Sequence, residues 1–100
     1  MTKLFRLSLK SQYDLQEIWQ YIAQDNHAAA DRVETELYIE FERLALNPNI
    51  GHKRDDLTKK EVRFWNLYSY QIIYNPNSEP LQIIRILNGY RDLINIIDDD

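Results

Sequence analysis

The side chains that could move protons or bind phosphate are two histidines and a group of lysines and arginines in the second half of the chain. Catalysis of RNA cleavage by the 2′-hydroxyl needs a proton acceptor, a proton donor and cations that stabilise the phosphorane. His27 and His52 lie far apart in the sequence, and Asn88 cannot titrate usefully. The candidate cations are Lys53, Arg54, Lys59, Lys60, Arg63, Arg85 and Arg91. Acid–base catalysis by histidine is therefore poorly supported.

Residue types that are rare or missing exclude several other kinds of site. The chain has no cysteine, which excludes disulfides, thiolate zinc sites and cysteine nucleophiles. Gly51 and Gly89 are the two glycines, too few for a glycine-rich phosphate loop. No carboxylate–histidine motif surrounds either histidine. We predict neither a metal ion nor a cofactor.

Charge is distributed unevenly along the chain. The 12 basic and 16 acidic residues give a formal net charge of -4, which opposes nonspecific binding of nucleic acid. Residues 1–50 contain 5 basic and 8 acidic groups, whereas residues 51–91 contain 7 basic and 4 acidic ones. We expect no sequence-specific nucleic-acid binding, although the second half is locally basic.

Length and hydrophobic pattern predict one α+β domain over residues 1–100. Alternating apolar residues predict a first strand at 3–9, and Ser11 and Asp14 have the spacing of a capping box for a helix from Gln12 to Gln24. Asp25 or Asn26 can cap a second helix, which must end by Asn47 because Pro48 follows. The short connection makes the two helices an αα-hairpin.

Three further segments read as antiparallel strands because β-rich runs are joined by short breaks. They are 62–67, 70–74 and 81–87, with a short final helix at 91–97. The predicted fold is β-α-α-β-β-β(-α), an antiparallel sheet covered by the N-terminal helical hairpin. The apolar stripes place Trp19, Ile22, Val33 and Phe41 in the core between helices and sheet, and Tyr70 and Tyr74 in the core with hydrated hydroxyls.

Four short motifs in this order resemble the RelE/ParE superfamily of bacterial toxins, and the ParE branch most closely. They are Asp14-Leu-x-x-Ile18-Trp19-x-Tyr21-Ile22-Ala23, Pro48-x-x-Gly51-x-x-Arg54-x-Asp56-Leu57, Val62-Arg63 followed by Tyr70-x-Ile72-Ile73-Tyr74, and Ile84-Arg85-Ile86-Leu87-Asn88-Gly89-x-Arg91-Asp92. Asn88 stands where the family commonly has a histidine. The resemblance covers nearly the whole chain.

The resemblance implies the toxin of a type II toxin–antitoxin pair of the plasmid-stabilisation type, inactive while a cognate antitoxin wraps around it. Members similar to ParE bind and poison DNA gyrase, whereas RelE members are ribosome-dependent messenger-RNA endonucleases. The chain lacks the C-terminal tyrosine of RelE enzymes and is acidic overall. A gyrase-binding toxin is therefore the favoured interpretation. The alternatives are a RelE-type nuclease and a non-toxic interaction module with the same fold.

Site residues follow from these interpretations. As a nuclease, the chain would use Arg63, Arg91, Lys53 and Arg54. As a binding toxin, it would contact its antitoxin or target through Arg63, Trp65, Tyr68, Arg85 and Arg91. For Arg85 a structural role is favoured, with the stem over apolar surface and a solvated guanidinium. Arg91 is equally compatible with a structural clasp.

No apolar run approaches the length of a membrane span, and the N-terminus lacks the apolar region of a signal peptide. We therefore expect a cytoplasmic protein that does not bind membranes. The sequence leaves the formation of a homodimer open.

Overall fold

The computed structural model describes residues 4–89. The elements follow the predicted order: β1 (Phe5–Leu7), α1 (Leu9–Ala23), α2 (His27–Leu46), β2 (Arg63–Leu67), β3 (Tyr70–Asn75) and β4 (Leu81–Asn88). The predicted α+β fold with its helical hairpin is confirmed. The predicted helix at 91–97 lies outside the described residues.

The junction between β1 and α1 lies at Ser8, three residues before the predicted cap. Ser8 Oγ accepts the backbone N–H of Ser11 at 3.0 Å and donates to the carbonyl of Ile84 at 2.7 Å. Ser11 is completely buried, and its hydroxyl donates to the Ser8 carbonyl at 2.8 Å. The capping box at Ser11 and Asp14 was therefore a wrong prediction, and Leu9 begins the helix instead of ending the strand.

The second cap and the helical hairpin agree with the sequence. Asn26 Oδ1 accepts the backbone N–H of Ala29 at 3.0 Å and starts α2. Trp19 is half-buried, and its Nε1 donates to Asp31 Oδ1 at 2.9 Å, which ties α1 to α2. Trp19 was predicted to lie in the core between helices and sheet, but its main role is to connect the two helices.

The sheet has four strands in the order β1-β4-β3-β2. The predicted antiparallel arrangement holds for β2, β3 and β4, with Leu67 opposite Tyr70 at the first hairpin and Tyr70 opposite Asn88 at the second pairing. β1 runs parallel to β4, with Arg6 opposite Gln82. The sheet is therefore mixed. The helical hairpin and the loop after it lead the chain to β2 at the far edge of the sheet, and two reversals later β4 runs in the direction of β1.

A bulge interrupts β4 and changes which side chains share a face. Tyr74 pairs with Ile83, whereas the preceding Ile73 pairs with Arg85, so Ile84 is the extra residue. Strict alternation along β4 would place Ile83 and Leu87 on one face, but they belong to separate apolar clusters. A bulge inserts one residue into a period of two and reverses the faces beyond it.

The main core lies between the helices and one face of the sheet. Its buried members are Leu15, Leu37, Phe41, Leu44, Ile72, Tyr74, Leu81, Ile83 and Ile86, with Val33 partly buried against them. Phe41 is confirmed as a core residue, whereas Ile22 is only half-buried. Successive strand residues point to opposite faces, so Ile73 lies in a smaller cluster with Val62, Phe64 and Leu87.

Residues 47–62 connect α2 to β2 and return along the sheet. The predicted exposed connection at His52 forms one antiparallel bridge to Phe64, with 2.8 Å hydrogen bonds in both directions. This bridge covers part of the outer edge of β2. Neither described helix combines the length and apolar character of a membrane-spanning segment.

Candidate functional site

Arg63 holds the loop that precedes it instead of projecting freely from β2. Its Nη1 donates to the carbonyl of Gly51 at 2.7 Å and to that of Asn49 at 3.4 Å. Its Nε is buried without a hydrogen-bond partner. The guanidinium therefore fixes residues 49–51 against the start of β2, a structural task for a residue predicted as a binding or nuclease cation.

Tyr74 fixes the same loop from the core side. Its hydroxyl donates to the carbonyl of Pro48 at 2.6 Å and accepts the N–H of Gly51 at 2.9 Å. The prediction of a hydrated hydroxyl was wrong, since both contacts are to protein groups. Burial raises the pKa of Tyr74. A Cβ at position 51 would lie 2.8 Å from the Tyr74 ring, which explains the glycine there.

Arg85 forms an ion pair with Asp14 that joins β4 to α1. Nε donates to Asp14 Oδ2 at 2.8 Å and Nη2 donates to Oδ1 at 3.0 Å, a bidentate geometry. Oδ2 also accepts the backbone N–H of Ile86 at 3.0 Å, just after the bulge. The side chains are only 15% and 11% exposed. The expectation of a solvated Arg85 head was therefore wrong, and Asp14 is its partner instead of a helix cap.

The remaining nuclease candidates lie on the exposed loop. Arg54 makes a bidentate pair with Asp56 at 3.0 and 2.8 Å, which lowers the pKa of that carboxyl, and Lys53 Nζ lies 4.0 Å from Glu61. Arg91 lies outside the described residues. Across β3, the backbones of β2 and β4 are about 10 Å apart, so Arg63 and Arg85 start from separated positions. The structure does not bring Arg63, Arg54 and Lys53 together with a histidine or carboxylate in a free cleft of the described chain.

Trp65 is half-buried between β2 and α2. Its Nε1 donates to Glu40 Oε2 at 2.9 Å, and its ring stacks on His52 with the centroids 6.2 Å apart and an interplanar angle of 25°. Arg43 lies 3.6 Å from the same Glu40 carboxylate. Trp65 thus already has partners within the fold, and its role in binding stays a prediction.

Tyr68 differs from the other predicted contacts because it projects from the tip of the β2–β3 hairpin. The residue is 65% exposed, and its backbone has φ +56°, in the left-handed region that bulky residues rarely occupy. The hydroxyl donates to Glu36 of α2, which raises the pKa of Tyr68 and orients the ring. A non-glycine residue kept in such a conformation is a candidate for a functional site.

An open groove that the sequence did not single out lies beside the Asp14–Arg85 pair. Its walls include Tyr21 of α1 and Tyr70 of β3, and its volume is about 270 Å³. The i, i+4 spacing of Glu17 and Tyr21 was the signal available in the sequence. Within residues 4–89, no three histidine, aspartate or glutamate side chains are placed to hold a metal ion.

Comparisons with known proteins agree with this fold. The family profile described as "ParE toxin of type II toxin-antitoxin system, parDE" matches residues 5–93. The chain belongs to this family. Toxin ParE3 of Caulobacter vibrioides is 29% identical over 85 residues, which cover 80% of each chain. A solved structure titled "Chromosomal ParDE TA system from P. aeruginosa" matches with a TM-score of 0.71 at 19% identity, covering 86% of this chain and 95% of that one.

The family profile extends over both helices and all four strands of this ParE-type chain. It thereby includes the loop held by Arg63 and Tyr74, the hairpin tip at Tyr68 and the Asp14–Arg85 pair. The resemblance to the ParE branch drawn from the sequence is confirmed. The structural match supports the β-α-α-β-β-β arrangement.

Proposed function

We propose that this ParE-type toxin inhibits growth in the cytoplasm by binding DNA gyrase, and that a cognate antitoxin neutralises it. The observation that carries the proposal is the family match over residues 5–93, because it includes every described element. ParE-like toxins act by occupying their target, which requires complementary surfaces and no acid–base pair.

The placement of the cations supports binding over catalysis. Arg63 is committed to the carbonyls of Gly51 and Asn49, and Arg85 to Asp14. Each guanidinium would have to break these contacts to reach a phosphate, which leaves buried carbonyls or a carboxylate unsatisfied. A nuclease would therefore disrupt its own fold to assemble its site from these two arginines.

The antitoxin has two kinds of surface available on the described chain. β1 lies at an edge of the sheet, and an extended segment can pair with its outer side, where Gln12 Nε2 already donates to the Leu7 carbonyl at 3.2 Å. The helical hairpin offers exposed apolar side chains, among them Tyr13 and Ile39. An obligate partner that covered both surfaces would hold the toxin inactive.

Tyr68 is the predicted contact that the geometry favours most. Its ring is exposed and held by Glu36, so binding costs little ordering entropy. Trp65, Arg63 and Arg85 contribute to a partner only at the expense of contacts in the fold. Arg91 lies outside the described residues, and its role in binding stays a prediction.

The test is expression from a tightly regulated promoter with and without the neighbouring antitoxin gene. Gyrase-dependent DNA breaks that the antitoxin suppresses, together with inhibition of purified gyrase, are the expected result. Cuts at defined positions of translated messages would instead support a RelE-type nuclease. Unaffected growth would indicate a non-toxic interaction module. A second measurement, the mass of the purified chain in solution, decides whether it forms the homodimer that the sequence leaves open.

A further inference from the structure

The groove beside the Asp14–Arg85 pair combines aromatic walls with an apolar floor. It lies between α1 and the ends of β3 and β4, and its volume is about 270 Å³. Ile18 and Ile86 contribute apolar surface, and Tyr21 and Tyr70 contribute the rings. A space of this size accommodates one long side chain of a partner.

The two tyrosines differ in exposure in a way that suits a ligand between them. Tyr21 is 73% exposed, whereas Tyr70 is half-buried. Burial is the main cause that raises the pKa of Tyr70, and the nearby Tyr21 adds to it. Both rings present electron-rich faces, which attract a cation at the groove.

The charges that line the groove do not balance. Asp14 and Arg85 neutralise one another through their bidentate pair. Glu17 makes no hydrogen bond or ion pair within residues 4–89, although its charge contributes to the raised pKa of Arg85. One negative charge is therefore left at the rim. The helices α1 and α2 together carry three basic and seven acidic residues, so the surrounding surface is also acidic.

We propose that this groove binds an arginine side chain of a protein partner, with its guanidinium between the rings of Tyr21 and Tyr70 and paired with Glu17. Arginine fits better than lysine because its planar guanidinium stacks on aromatic rings and is weakly hydrated. The apolar floor accepts the methylene stem. A second copy of this chain fits less well, since its helical layer is acidic and like charges oppose docking.

This inference rests on the proposed function only in taking the partner to be a protein. The probe is arginine amide, titrated into the full-length isotope-labelled chain and followed by NMR. Citrulline amide is the matched control, because it is nearly isosteric and uncharged. We expect arginine amide to shift the backbone amides of Glu17, Tyr21, Tyr70 and Asn88 with a millimolar dissociation constant, and citrulline amide to bind at least about fivefold more weakly.

Variants separate the groove from general attraction to an acidic surface. Glu17→Gln and Tyr21→Leu should each weaken arginine amide about two- to fivefold, because each removes one exposed charge or ring contact. Glu42→Gln, on the exposed part of α2, removes the same charge elsewhere and should leave binding unchanged. Unperturbed spectra away from the substituted site establish that each variant folds.

Three results would overturn the proposal: equal binding of citrulline amide, no shifts at the groove when arginine amide reaches tens of millimolar, or equal weakening by Glu42→Gln. The gyrase experiment is independent of all three. If the chain inhibits gyrase but does not bind arginine amide, the proposed function stands and the arginine site is refuted. If it binds arginine amide but does not inhibit gyrase, the site stands and the proposed function is refuted.

Discussion

The Asp14–Arg85 pair gives the sharpest prediction about stability. Asp14→Ala would leave a guanidinium that is only 15% exposed without its carboxylate, and would remove the acceptor of the Ile86 N–H. Breaking a buried pair by removing one partner costs about 3–5 kcal/mol. Residual solvent contact and the nearby Glu17 recover part of that loss. We therefore expect a decrease of about 3 kcal/mol in the free energy of unfolding, a large part of the 5–15 kcal/mol typical of a domain.

Urea unfolding followed by the fluorescence of Trp19 and Trp65 measures this change, with an unchanged slope as the sign that the two-state transition is preserved. The matched control is Asp56→Asn, which breaks the exposed pair with Arg54 and should leave the urea midpoint unchanged. The double variant Asp14→Leu with Arg85→Met should be more stable than Asp14→Ala, because no charge is left buried. A loss below about 1 kcal/mol for Asp14→Ala, or a double variant no better than the single one, would refute the reasoning.

Three further outcomes follow from local geometry. Tyr68→Gly should keep or raise the melting temperature by a few degrees, because glycine accepts the left-handed backbone; a lower melting temperature in calorimetry would contradict this. Gly51→Ala should cost about 1–3 kcal/mol in urea unfolding, because its Cβ would crowd the Tyr74 ring. Burial raises the pKa values of Tyr38, Tyr70 and Tyr74 above those of the unfolded chain. The free energy of unfolding should therefore stay constant below about pH 10 and decrease as pH rises through the folded pKa values. Urea midpoints measured across that pH range test this, and the decrease of the midpoint with pH should be smaller in Tyr74→Phe.

Hydrophobic periodicity was sufficient to predict the order of elements, because each amphipathic stripe has one partner surface in a domain of this size. It was insufficient at the two places where hydrogen bonds set the local structure. Ser8 and Ser11 both have hydroxyls suited to capping, and the choice between them depends on the Ser8 contact to Ile84, 76 residues away. The bulge at Ile84 leaves no signature in the sequence of β4, where apolar residues stand in the adjacent pairs Ile83-Ile84 and Ile86-Leu87, so alternation alone does not predict the faces beyond it.

The sequence identified residues of the candidate site but predicted the role of only some of them. Sequence patterns indicate which arginines are present, but they do not show that Asp14 lies within reach of a residue 71 positions later. Similarly, an aromatic residue near a hairpin end is typical of an exposed binding anchor, yet Trp65 already donates a hydrogen bond to Glu40 and stacks on His52. Long-range pairing decides whether a polar or aromatic side chain serves the fold or remains available to a partner.

That distinction orders the expected contributions to antitoxin binding. A side chain already paired within the fold must lose those contacts before it gains new ones, so Arg85 and Trp65 offer a partner little net free energy. The rings of Tyr21 and Tyr68 are exposed and carry no such cost, and tyrosine is enriched among residues that dominate interfaces. Alanine substitution at Tyr21 and Tyr68 should therefore weaken the toxin–antitoxin complex by tenfold or more without lowering the melting temperature of the free toxin, whereas Arg85→Ala should lower that temperature first. Isothermal titration and calorimetry on the same proteins measure both quantities, and a loss of affinity confined to Arg85→Ala at unchanged stability would reverse the order.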